Sequence, residues 1–185
     1  MDALAQTVNL SAWQNFYVIV GSSGGALVGL QFVAIALLGG SRTRADPHAI
    51  HAFGTPNVVH FGSALTISAL MCVPWGSAIA LSLALASCGL FGVACSTVAF
   101  RRTQRQTAYT PVLEDWLCYA IVPCGLYAVL TVAAIVLGVT GRHGLFVVAG
   151  STMGLLLIGL RNAWDTVTHI VVVGSEDPPE PKPPG

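Results

Sequence analysis

Long apolar runs separated by short polar breaks fill the chain from Trp13 to about residue 173. The pattern predicts five helical spans, at about 13–39, 57–74, 77–100, 113–139 and 144–173. Runs of this length can cross ~30 Å of hydrocarbon as helices. They do not alternate apolar and polar residues, so a β-barrel does not fit. Punctuation supports the divisions. Gly39-Gly40 ends the first run, and 41–56 (SRTRADPHAIHAFGTP) reads as a basic loop with two histidines. Thr55-Pro56 and Thr110-Pro111 read as helix starts, a capping threonine before a proline at the first helical position. Pro74-Trp75-Gly76 reads as a tight turn, and Pro123 is expected to kink the fourth span.

Within the first span, Gly21, Gly25 and Gly29 recur every fourth residue and share one helix face. Small residues at that spacing let a second helix approach closely in a bilayer. Ala84, Cys88, Gly92 and Ser96 mark a similar line on the third span, and Gly150 and Gly154 one on the fifth. Leu155 is assigned to the lipid-facing side of that last span. Trp13, Phe16 and Tyr17 read as an aromatic belt where the first span enters the membrane.

Composition changes the picture from "helical" to "membrane". Of 185 residues, 54% are hydrophobic and 9% charged, against about 25% charged in soluble domains. The expected fold class is an all-α integral membrane protein, a five-transmembrane-helix bundle with no separate soluble domain. A proline-rich, charged tail at 174–185 should be extended and disordered. Orientation follows from basic residues. One side of such a bundle carries Arg142 alone, and the other carries Arg42, Arg44, Arg101, Arg102, Arg105, Arg161 and Lys182. That asymmetry predicts the N-terminus outside and the C-terminus in the cytoplasm of a plasma membrane, taken as a bacterial inner membrane. No basic n-region precedes the first run, so it does not read as a signal peptide. With zero net charge and no large basic cluster, nucleic acid is not an expected partner. The lipid bilayer is the expected partner, with a second copy or another membrane protein beside it.

GLFGVACST at 89–97 and GLFVVAGST at 144–152 agree at seven of nine positions. The stretches between match poorly, so the likeness reads as coincidence rather than duplication. Cys72, Cys88, Cys95, Cys118 and Cys124 lie in apolar runs without CxxC spacing. They read as small buried hydrophobes, neither a disulfide framework nor a zinc site.

Candidate chemistry gathers at the end of the fifth span. Arg161 and Asp165 are four apart and can pair on one face. At ~100° per residue they share a line with Gly150 and Gly154, with Thr168 on it and Trp164 beside it, so the pair is expected to turn into the bundle. His60 shares a face with Asn57 and Ala64, close to Ser68, and its depth matches the end of the fifth span. Asn57, His60, Arg161 and Asp165 are thus the candidate binding residues, an ion or proton site or else a structural pair with an interhelical histidine. His48, His51 and His169 do not make a persuasive metal set with His60. Gln31 lies off the glycine line.

There is no HExxH, GxSxG, P-loop or dinucleotide fingerprint, and GSSGGALVG lies inside a span. No enzyme, cofactor or metal is expected. The expected function is a structural or regulatory membrane component acting through helix–helix association. The alternative is a small transporter or channel with a polar site on the cytoplasmic side.

Overall fold

The structure is a computed structural model and describes residues 10–40, 47–104, 117–140 and 143–175. Among these residues there are five long α-helices and no strand. We number them α1 (Gln14–Gly40), α2 (Pro47–Cys72), α3 (Ala78–Gln104), α4 (Val122–Thr140) and α5 (Leu145–Ser175). A 3-10 turn, Ser11–Trp13, leads into α1, and a π-helical segment, Leu117–Ile121, leads into α4. Four helices are long and apolar enough to cross a membrane: Ser11–Ala36, Ala78–Arg101, Leu117–Thr140 and Leu145–Thr168. The apolar part of α2, Asn57–Cys72, is shorter, about 24 Å of helix at 1.5 Å per residue.

One boundary differs from the sequence reading. α2 begins at Pro47 rather than at about 57, so Thr55-Pro56 lies inside the helix and the expected loop is helical from 47 onward. Pro47 provides the same fixed φ at a first helical position that Pro56 was expected to provide. Thr110-Pro111 and the segment from 176 onward lie outside the described residues.

Neighbouring helices run antiparallel, as the contacts show. On α1, Gly21 meets Ser68 and Gly24 meets Phe61 and Leu65. Between α3 and α4, Ser82 Oγ donates to the Ala134 carbonyl at 2.7 Å, while Gly92 meets Tyr127. Gly154 meets Leu126, and Gly144 meets Ala133. α2 packs against α1, α3 and α5, and α4 packs against α3 and α5. The buried face of α2, Asn57, His60, Phe61, Ala64, Ile67, Ser68 and Met71, has the three-and-four spacing of one helix side.

The bundle has two ends. At the Trp13 end, Trp13 packs edge-on against Phe146 with ring centroids 4.6 Å apart, joining α1 to the start of α5. Trp75 Nε1 donates to the Leu70 carbonyl at 2.7 Å and ties the α2–α3 turn. Tyr17, expected in an interfacial belt, is instead a core residue, in the same buried cluster as Ile67, Met71 and Tyr127. Gly144 caps α5 with φ +100, and its carbonyl accepts from Val148 N at 2.8 Å. A Cβ there would also lie 2.7 Å from the Ala133 carbonyl oxygen, so conformation and space both call for glycine. Gly89, its counterpart in the nine-residue likeness, lies inside α3, so the two stretches occupy unlike structural positions.

The small-residue lines are displaced from their expected places. On α1 the close approach is made by Gly21 and Gly24. Among the described residues, Gly25 has only Leu65 Cδ1 at 3.9 Å from a would-be Cβ, and Gly29 has nothing within 4 Å. On α3 the buried line is Leu85, Gly89, Gly92 and Ser96, one residue round from Ala84 and Cys88. On α5, Gly154 packs against Leu126, but Gly150 has no neighbour within 4 Å, and Leu155, expected to face lipid, is fully buried. Cys72 is exposed and the other four cysteines are half-buried, all with free thiols.

Candidate functional site

Three of the polar side chains buried in the bundle, Asn57, His60 and Asn162, lie toward the Asn57 end, and Tyr127 holds His60 there. The Tyr127 ring lies against Gly92, where any Cβ would run into the ring atoms. Glycine at 92 therefore opens the slot through which Tyr127 reaches from α4 to α2. There Tyr127 Oη donates to Ser63 Oγ at 2.9 Å and lies 3.1 Å from His60 Nδ1. A phenol has one proton. With that proton given to Ser63, Tyr127 Oη accepts from His60, which places the ring proton on Nδ1. Nε2 of the neutral ring is then a bare acceptor, and it is buried with no partner among the described residues.

His60 stands over Gly159, whose would-be Cβ lies 3.3 Å from His60 Cβ and 2.8 Å from the Phe61 ring. α2 and α5 are antiparallel, so one turn back along α2 is Asn57 and one turn on along α5 is Asn162. Asn57, His60 and Asn162 are 0%, 3% and 0% exposed. Both polar atoms of the Asn57 amide and Oδ1 of Asn162 lack a partner among the described residues. Buried polar groups usually have partners, so four such atoms within one turn of two facing helices mark a place with unmet hydrogen-bonding capacity.

Asn162 is held by a defect in the helix opposite. Pro123 has no N–H, so in the i→i+5 register of the π segment the carbonyl of Cys118 has no backbone donor. Asn162 Nδ2 donates to that carbonyl at 3.1 Å, and Tyr119 Oη donates to the Asn162 carbonyl at 3.2 Å. The effect of Pro123 is thus a widened turn whose freed carbonyl anchors α5.

Arg161 and Asp165 do pair, Nη1 to Oδ2 at 3.3 Å. Their side chains are 37% and 42% exposed, however, on the flank of α5 rather than turned into the bundle. The inward line is Val148, Thr152, Leu155, Gly159 and Asn162. It carries a neutral amide where the charged pair was expected. Trp164 is exposed, and Thr168 bonds back to the carbonyls of Trp164 and Asp165. Of the four candidate residues, Asn57 and His60 belong to the buried group, and Arg161 and Asp165 stand outside it. Tyr127, Ser63 and Asn162 were not singled out from sequence. A tyrosine in mid-span, one turn beyond a proline, was the available signal. No group of three or more His, Cys, Asp or Glu side chains that could hold a metal occurs among the described residues. The side chains of His48, His51 and His169 lie outside them.

The helices define a class: all-helical among the described residues, consistent with a multi-pass α-helical membrane protein, with a neutral polar joint between α2, α4 and α5. No protein-family model matches the chain, and no curated protein or solved structure shows significant similarity to it.

Proposed function

We propose that the protein is a structural or regulatory component of a membrane, working through helix–helix association rather than catalysis. One observation supports this reading: the glycines of α1 divide into two sets. Gly21 and Gly24 are pressed against α2, whereas a Cβ at Gly29 would meet nothing within 4 Å among the described residues. A small residue left open on a membrane helix offers a surface for close approach by another helix. In the same reading all five helices span, the N-terminus is outside, and the Asn57 end faces the cytoplasm of a bacterial inner membrane, with a second copy as partner. The test is mass determination in detergent. The wild type should be larger than one chain. Gly29→Leu should return it to monomer with its melting temperature unchanged, while Gly21→Leu should lower the melting temperature. A monomeric wild type would sink the proposal.

The buried polar group favours a second reading, a small transporter or channel. Its test is solute flux in liposomes containing the purified protein, compared with liposomes containing the His60→Phe variant.

A further inference from the structure

The polar joint at the Asn57 end has three acceptor atoms without donors among the described residues, His60 Nε2, Asn57 Oδ1 and Asn162 Oδ1. Asn57 Nδ2, with two protons, has no acceptor among them. His60 Nδ1 and Ser63 are engaged with Tyr127, and Asn162 Nδ2 gives one of its two protons to the Cys118 carbonyl. His60 Nε2 has no proton of its own, so a ligand that meets it must donate a hydrogen bond. Among the described residues the joint contains no carboxylate, and the acidic group of α5, Asp165, is paired with Arg161 on the flank. A cation would sit uncompensated among apolar helices, at a cost of several kcal/mol or more. An anion would meet mainly acceptors. What fits is an uncharged donor of about the size of water, which gives two protons and accepts one.

We infer that Asn57, His60 and Asn162 form a buried binding site for one uncharged, water-sized hydrogen-bond donor, which bridges α2 to α5. The occupant donates to His60 Nε2 and to one amide oxygen, and accepts from Asn57 Nδ2. It completes a chain that runs through His60 and Tyr127 to Ser63, linking α5, α2 and α4.

Nitrogen NMR of protein labelled at histidine and reconstituted in lipid nanodiscs tests this directly. The His60 resonances are assigned by their loss in His60→Phe. The expected spectrum has the proton on Nδ1, Nε2 shifted to the position of a hydrogen-bonded acceptor, and a cross-peak from His60 to water protons. An Nε2 at the position of an unbonded nitrogen would overturn the site. So would an Nε2 that moves only when methylammonium chloride is added, because that would show a cation site. Melting temperature gives a second, opposed sign. If the atoms are bridged, Asn57→Leu takes a partner from the occupant that serves His60 Nε2 and lowers the melting temperature. If nothing bridges them, the leucine removes an amide both of whose polar atoms are unmet and raises it. Should Asn57→Leu not fold, the wild-type spectrum alone decides.

Discussion

Gly24 and Gly92 each open a helix interface, and they do so differently. Between α1 and α2, Gly24 brings backbone to backbone: a Cβ there would lie 3.0 Å from the Phe61 carbonyl oxygen. Between α3 and α4, Gly92 instead makes room for a side chain, the ring of Tyr127. The first is a flat seam whose gain is van der Waals contact, the usual driving force between membrane helices. The second is a socket. It fixes one tyrosine, and through it the rotamers of His60 and Ser63 on a third helix. A seam can relax by separating slightly. A socket cannot, because its occupant is pinned at both ends.

That difference can be broken by substitution. Gly92→Leu should have the largest effect. The ring has nowhere to go, and overpacking of this kind costs about 3 kcal/mol, read as a large fall in melting temperature or failure to fold. Gly24→Leu should cost less, about 1–2 kcal/mol, as α1 moves off α2. Its circular dichroism should stay helical, and the α3–α4 contact, read by cross-linking a cysteine pair across it, should remain. Equal losses at Gly92 and Gly24 would erase the distinction between socket and seam. Tyr127→Phe keeps the ring in the socket and removes only its hydroxyl. The expected loss is about 1 kcal/mol, in line with interhelical hydrogen bonds in membranes. Asp165→Asn should be smallest, within about 0.5 kcal/mol, because a half-exposed pair contributes little. A loss at Asp165 as large as that at Gly92 would mean that the charged flank, not the socket, holds this end together.

Helical character was legible from apolar run length, because a bilayer leaves helices few rivals. The ends were legible where glycine and proline punctuate, as at Gly40 and Pro74. Pro47 was missed because Thr55-Pro56 offered a second start of the same kind, and a sequence does not say which of two prolines opens a helix and which lies inside it. The inward line of α5 was misplaced for a related reason. Gly150-Gly154 and Gly159-Asn162 run side by side, each with a small residue and a polar one. Choosing between them required knowing where Phe61 and Leu126 stand. His60 and Asn57 were legible because the whole buried face of α2 keeps one period. The link from Pro123 through the Cys118 carbonyl to Asn162 was not, because it joins residues on different helices through a backbone atom, and no side-chain pattern records that.

The contact between Trp13 and Phe146 has a consequence for the order in which the molecule is made. A ribosome delivers α1 and α2 early, and they can zip together as neighbours. α5 follows α1 to α4, yet it packs against α2 and α4 and meets Trp13, just before α1. Without it, the side of Asn57 and His60 that α5 covers is open, although Tyr127 of α4 already holds His60. Docking of α5 covers His60 and brings Trp13 and Phe146 together, so that one packing event ties residues far apart in the chain at both ends of the bundle.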